Sequence, residues 1–320
     1  MSVLIVCYNS RAHFARLKAS LEAQTIRFNL YVVDNASAVE QRPRADDFPA
    51  GARIIQNEDN RGFAAANNQL AALDDAEFIA LLNPDAFPEP RWLEHLLAGA
   101  ARHPRAGAFG STQIMADDES RYDGLGDCLS PFGAAWRGGR GARRQDIPPL
   151  EGETFSVCAA AALYRRAAWD AAGGFDESFF CFIEDVDLGL RLRLKGWASV
   201  QIAEAVVAHV GGGASSSAFA AYHAARNTIW CLAQSMPGAI YWPLLPAHAL
   251  LTLIFYLRSF GDADGKAYRR GVRDACKAIG ERWRTRRLAQ ADADARGVAR
   301  MLTWSLAAMR ARAPNIKPTR

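Results

Sequence analysis

The sequence predicts an α/β protein, a mostly parallel sheet flanked by helices, with a helical C-terminal appendage. Three observations carry that expectation. Short β-branched apolar runs alternate with helix-period segments through the first 85 residues, and each of four such runs ends in Asn or Asp. Beyond residue 226 the composition turns first charge-free and apolar, then basic. A chain of 320 residues has room for two units. The expected division is a catalytic domain over 1–225 and a helical region over 226–320.

The run SVLIVCY at residues 2–8 suits a strand buried on both faces. Asn9-Ser10 then offers a helix cap, and Leu17 and Leu21 carry a helical period to Gln24. Residues 30–34 and 53–57 read as the second and third strands, 63–73 as a helix and 78–82 as the fourth strand. Residues 124–144, rich in glycine and arginine, read as loops. A strand over 155–163 and a short helix over 165–172 follow. In the next segment Leu188, Leu190, Leu192 and Leu194 alternate as in a strand. Glu184, Asp185 and Asp187 stand where a helix start favours anions, however, and Arg191 to Lys195 where its end favours cations, so a helix ending at Gly196 is expected. On it Asp187 and Arg191 pair at i,i+4, leaving Asp185 on another face, free to point into a cleft.

Several functions are excluded. The first glycine is Gly51, so no dinucleotide fingerprint follows the first strand, and the segment 261–267 lacks P-loop spacing. The six cysteines form no C-x-x-C pair, which points to free thiols in a reducing compartment. The chain enters its first strand without a basic n-region or cleavage site, so no secretion signal is expected. The net charge of +4 divides unevenly: 22 Lys+Arg against 28 Asp+Glu up to residue 257, and 16 against 6 thereafter. No nucleic-acid recognition motif accompanies the basic tail, and Trp283 and Trp304 are isolated, so nucleic acid is not an expected partner. Residues 227–257 carry no charge, but Pro237, Pro243 and Pro246 interrupt them, and the proline-free remainder is too short to span a bilayer. Either these residues pack on the catalytic domain, or they lie in the membrane interface with residues 258–287 against anionic headgroups.

In open α/β sheets ligands bind beyond the carboxyl ends of the strands. Those ends carry Asn9, Asp34-Asn35, residues 57–60 and Asn83-Pro84-Asp85. Any one of these could be an ordinary turn residue. Together with Asp185 at a helix start they suit metal-assisted group transfer: one carboxylate on a hard cation, Mg²⁺ or Mn²⁺, and another raised in basicity by apolar neighbours such as Phe180 and Phe182. His209, between an apolar run and Gly211-Gly212-Gly213, is either a third station or a structural histidine. Sugar transfer, nucleotidyl transfer from a nucleoside triphosphate and non-catalytic nucleotide-sugar binding all remain open on these residues.

The segments SVLIVCYNS (2–10), VVDNAS (32–37), NRGFAAANN (60–68), LLNPDA (81–86) and GGFDESFFCFIEDVDLGLRLRLKGW (173–197) resemble, in order and spacing, the family 2 inverting glycosyltransferases of the GT-A fold. The likeness extends over about residues 2–230 and is strongest to bacterial rhamnosyltransferases of surface-polysaccharide assembly. The resemblance implies a dTDP- or UDP-linked sugar donor and a saccharide acceptor, often lipid-linked. It further implies a cytoplasmic protein peripheral on the inner face of the membrane. On the donor side it puts Asn9 in the cleft, Asp34 on the nucleobase, and Asn60, Arg61, Gly62 and Asn67 along the nucleotide. Asn83-Pro84-Asp85 occupies the position of a D-x-D motif, with Asp85 and His209 on the metal and Asn83 replacing the first carboxylate. Gly173, Gly174, Asp176 and Glu177 are implied on the acceptor side, Glu184 beside it, and Asp185 as the catalytic base.

Overall fold

The computed structural model describes residues 1–211, 218–286 and 295–319. In chain order the elements are β1 (Ser2–Cys7), α1 (Phe14–Glu22), β2 (Asn29–Asp34), β3 (Arg53–Gln56), α2 (Gly62–Ala71), β4 (Phe78–Leu82), β5 (Ala86–Pro88) and α3 (Trp92–Arg102). There follow β6 (Ala106–Met115), β7 (Tyr122–Leu125), β8 (Asp127–Leu129), β9 (Ala135–Arg137), β10 (Gly152–Thr154), β11 (Ala161–Arg165), α4 (Arg166–Ala172), α5 (Glu184–Leu194) and β12 (Ala198–His209). The C-terminal helices are α6 (Ala218–Ser235), α7 (Gly238–Arg258), α8 (Ala263–Arg284), α9 (Ala295–Met301) and α10 (Leu306–Arg310).

The main sheet runs β10-β12-β6-β11-β4-β1-β2-β3, with β5 beside β12 and β7 beside β6. The first four expected strands pair in parallel, so their carboxyl ends share one edge. The sheet is mixed beyond them, because β11 inserts antiparallel between β4 and β6. Helices α1 and α3 bury Phe14, Leu17, Trp92 and Leu96 on one face. The other face is covered by α2, α4 and α5 through Ala66, Leu70, Trp169, Leu188 and Leu192.

The alternating leucines resolve into two i,i+4 stripes on one helix. Leu188 and Leu192 face the sheet, whereas Val186, Leu190 and Leu194 face a third core shared with Trp230, Leu232 and Met301. A helix apolar all round is a buried one, and α5 lies between the sheet and the C-terminal helices. Its polar pair is buried too: Arg191 Nε donates to Asp187 Oδ2 at 2.6 Å, and Nη1 donates to the carbonyls of Ala172 and Gly174. Ser235 of α6 donates to the other Asp187 oxygen at 2.7 Å.

Three expectations are corrected. Residues 124–144 are not all loop: they contain the end of β7 and the β8–β9 hairpin. Residues 155–160 are a connection rather than a strand, with β10 before and β11 after. The prolines of the charge-free segment do not break it. Pro237 caps α7, and Pro243 and Pro246 lie inside a continuous helix of 21 residues. That helix is long and apolar enough to cross a membrane, with mean hydropathy 1.5 over its best window, of which 17% is buried. Residue 225 lies within α6, which runs unbroken across the expected boundary. The tail also folds back on the sheet, where Lys317 pairs with Glu153 of β10.

Breaking a buried ion pair by removing one partner costs ~3–5 kcal/mol. Arg191→Met should therefore lower unfolding free energy by about that amount in denaturant titration. A loss below ~1 kcal/mol, the worth of a surface pair, would show that Asp187 and Arg191 do not hold α5 in place.

Candidate active site

The loops beyond the parallel strands are tied to one another. Asn9, at φ 51°, donates its backbone N–H to Ser37 Oγ and accepts from the Ala38 N–H, joining the loops after β1 and β2. Asp34 is buried, accepting from Ser37 N–H and from Gln56 Nε2 at 3.1 Å. Asn35 donates to Asn60 Oδ1 at 2.8 Å and to the Gly62 carbonyl, and accepts from Asn57 and the Arg61 N–H. The exposed Arg61 side chain reaches back to Gln69. Asn67, by contrast, is buried and donates to Phe63 O in its own helix.

Antiparallel pairing of β5 with β12 sets His209 opposite Ala86, one residue past Asp85. His209 Nε2 lies 3.4 Å from Asp85 Oδ1 and Nδ1 lies 2.8 Å from Asp123 Oδ2. Burial alone would lower the basicity of His209, but the hydrogen bonds to Asp123 and Asp85 outweigh it and raise its pKa. Burial likewise works against the Asp85 carboxylate, and the His209 hydrogen bond and charge hold its pKa below the ordinary value. Asp123 also bonds Arg137 and lies 3.3 Å from Arg140. Despite burial, His209 and these guanidiniums bring it to about 2. Gly212 and Gly213 lie outside the described residues.

Beside this group is a cleft of about 240 Å³ lined by Asn83, Asp127, Arg137, Glu184 and Asp185. Asp185, in the first turn of α5, accepts from the Val186 N–H at 2.8 Å and the Ala159 N–H at 3.3 Å. Burial raises its pKa, against the pull of those N–H groups and of Arg137. Glu184 is buried with Oε2 lacking a partner, and burial and Asp185 push its pKa well up. Asp127, buried and held by Ser156 Oγ, is raised for the same two reasons. Three carboxylates thus face one guanidinium.

The connection into α5 is the most strained backbone of the site. Phe180, Phe182 and Ile183 all have φ between 65° and 69°, which costs of order 1–3 kcal/mol per residue. Asn227 of α6 clamps this loop, its Nδ2 donating to the carbonyls of Phe179, Cys181 and Phe182 at 2.7–2.9 Å. Arg226 donates to Ser178 and Phe179 carbonyls. From the donor side, the Ala64 N–H donates to Phe180 O. Gly62, at φ +82°, lets the Phe180 ring approach; a Cβ there would stand 2.6 Å from it.

Not all the expected residues meet in this cleft. Gly173 and Asp176 line a separate pocket with Arg191, Gln234 and Arg282. Gly173, at φ +80°, ends α4, and Gly174 accepts Arg191 at its carbonyl. Asp176 caps the turn at Ser178 and accepts from Gln234 of α6, while Glu177 accepts from Asn68 of α2. These groups are occupied in holding α2, α5 and α6 together. Asp123, Asp127, Arg137 and Asn227 were not singled out from sequence. The turn Ser130-Pro131-Phe132-Gly133 between two short alternating runs is the hairpin signal that would have found the middle two.

A strand-end edge rich in Asn and Asp facing a carboxylate-bearing helix start is the arrangement expected of a GT-A fold. Comparisons with known proteins agree. Residues 2–171 match the model of "Glycosyl transferase family 2". A Mycobacterium tuberculosis N-acetylglucosaminyl-diphospho-decaprenol L-rhamnosyltransferase is 32% identical over 272 residues, covering 74% of this chain and 85% of the relative. S. aureus TarS 1-349, solved with UDP-GlcNAc, superposes at TM-score 0.56 with 18% identity over 88% of this chain and 82% of that one. The Pyrobaculum calidifontis mannosyltransferase PcManGT, solved with GDP-Man and Mn²⁺, does so at 0.52 with 16% identity over 93% and 79%. The chain belongs to glycosyl transferase family 2 and is a glycosyltransferase.

Asn227→Ala removes three hydrogen bonds from the strained loop and frees the start of α5 to shift. Misplacement by ~1 Å can cost ~10²-fold in rate, so turnover should fall by about that factor while the melting curve stays cooperative. Unchanged turnover in a folded Asn227→Ala protein would show that the clamp does not position Asp185.

Proposed function

We propose that the protein moves a sugar, with rhamnose the first candidate, from a dTDP- or UDP-linked donor to a hydroxyl of a lipid-linked saccharide acceptor. Transfer inverts the anomeric carbon and serves cell-surface polysaccharide assembly. The observation that carries this reading is Asp185, a carboxylate of raised pKa at the mouth of a helix, set in a cleft that also contains Asn83 of the strand-end motif. The mycobacterial relative's name supports rhamnose and a polyprenol-linked acceptor.

In this reading Asp185 accepts the proton of the acceptor hydroxyl as its oxygen attacks the anomeric carbon. Arg137 keeps part of the negative charge of the cleft compensated, and burial raises the pKa of Glu184, Asp127 and Asp185 alike, so their simultaneous ionisation is disfavoured. The buried Asp34 and the Asn35–Asn60 network shape the donor side.

The residues fit a divalent cation. His209 turns Nδ1 to Asp123 and Nε2 to Asp85, the arrangement in which a carboxylate orients a metal-binding histidine. Among the described residues no group of three potential ligands forms, so Asp85 and His209 would hold the ion and leave its other positions to diphosphate and water, as Mg²⁺ and Mn²⁺ prefer. Bound there, it would offset charge on the departing nucleoside diphosphate. The Asn83 amide bears no charge, so Asp85 and His209 carry this task alone.

We place the protein on the cytoplasmic face of the membrane, supported by α7, whose Leu250, Leu253, Phe255 and Leu257 are exposed. The basic face meant for anionic headgroups is smaller than composition suggests. Arg286 is buried against the Ala233 and Met236 carbonyls, and Arg282 stacks over Trp230. Arg258, Lys266, Arg270, Arg273, Lys277 and Arg284 remain exposed.

Asp185→Asn should lower transfer by ~10²–10⁴-fold, the range for a general base, with donor binding retained in calorimetry. In the native protein the acidic limb of kcat/KM should lie above the ordinary aspartate value of ~3.9, because a base with raised pKa loses its ionised form earlier as pH falls. Near-normal turnover of Asp185→Asn would refute the role. Manganese should raise the melting temperature of the native protein and leave Asp85→Ala unmoved; equal shifts in both would place the ion elsewhere.

A further inference from the structure

Next to the catalytic cleft is a larger hollow that the chemistry above does not use. It measures about 610 Å³ and is walled by α6, α7, α8 and the turn of the β8–β9 hairpin. That volume falls in the ~300–1,000 Å³ range of small-molecule sites. Among the described residues that line it, none carries a carboxylate, ammonium or guanidinium; Leu232, Leu245, Phe255, Val272 and Ile279 are typical of the walls. His248 lines it as well, nearly buried, with its pKa lowered by burial, so it presents a neutral ring. Neither ring nitrogen has a hydrogen-bond partner of normal geometry.

Two residues, Ala135 of β9 and Ala224 of α6, line both this hollow and the cleft that holds Asp185. The two spaces are therefore neighbours across small side chains, one polar and reactive, the other apolar. At its outer side the hollow is bounded by Leu253 and Phe255 of α7, which are themselves about half exposed. The apolar hollow thus lies between the Asp185 cleft and the exposed apolar face of a helix.

We infer that this hollow receives the lipid tail of the acceptor, an isoprenoid or similar hydrocarbon chain joined through phosphate, while the sugar head lies in the Asp185 cleft. The inference rests on the proposed lipid-linked acceptor and assigns its tail a site. Burial of hydrocarbon against these walls is favourable in proportion to area. A chain entering beside Ala135 passes Arg137, two residues further along the same strand and so on the same side of it. The continuous α7 then has a purpose: it forms one wall of the tail site and presents its other face outward.

The test uses the full chain and a short isoprenyl phosphate, farnesyl phosphate below its micelle concentration, titrated by calorimetry. Saturable binding is expected, with inorganic phosphate giving none. Thr228→Phe, from the α6 wall, and Ala249→Phe, from the exposed α7 wall, should each fill the hollow and weaken binding by ~10-fold or more. Two variants from opposite walls guard against one that misfolds. Transfer assays then compare one saccharide head on long and short tails, and both fillings should lower the long-to-short ratio of kcat/KM. Absence of farnesyl phosphate binding, affinity untouched in both folded variants, or equal kcat/KM for long and short tails would overturn the tail site and leave the transferase reading standing. Lipid binding that is sensitive to both fillings, without transfer to any lipid-linked saccharide, would sustain the site and overturn the proposed acceptor.

Discussion

The site depends on a backbone that would not hold its shape alone. Phe180, Phe182 and Ile183 are non-glycine residues at positive φ just before α5, and such strain persists only where the surroundings over-determine it. Here the surroundings are the Asn227 amide from α6, Arg226 beside it, and the Ala64 N–H from α2. Phe179, fully buried, packs edge-on to Trp230 and fixes the loop from beneath. The direction of α5, and with it the position of Asp185, follows from that clamp. α6 of the C-terminal helices consequently helps to shape the cleft that contains Asp185.

Electrostatics sharpen the same point. Asp127, Glu184 and Asp185 share one cleft with Arg137, and burial makes full ionisation of all three unfavourable. Asp123, by contrast, is held ionised by His209, Arg137 and Arg140 and braces the histidine that faces Asp85. Arg137 therefore touches both sets: it bonds Asp123 and lines the cleft of Asp127, Glu184 and Asp185. The basic excess of the tail is spent in part inside the fold: Arg286 satisfies carbonyls at the end of α6, and Arg300 pairs with Glu153.

Strand ends were legible in the sequence because turn chemistry and short β-branched runs are local signals, and Asp34, Asn60 and Asp85 stand where that reading put them. Asp185 at the first turn of a helix was legible for the same reason. The leucine alternation was ambiguous because a helix buried on two sides writes two i,i+4 stripes that interleave with period two. Long-range pairing was not legible. Asp123 reaches His209 across 86 residues, and Asn227 reaches its loop across 45 to 48. Gly174 and Asp176 carried a motif, yet the hydrogen-bond partners they meet are on α5 and α6. Proline is a local signal against a helix interior, so the continuity of α7 through Pro243 and Pro246 was not legible in the sequence.

A single displacement with Asp185 as proton acceptor leaves a stereochemical record. The most direct measurement is the anomeric configuration of the first-formed product, read by NMR from the coupling at the transferred sugar. Product of inverted configuration relative to the donor is the expected result. Product of retained configuration would require two displacements or a front-face mechanism, and would contradict the role assigned to Asp185.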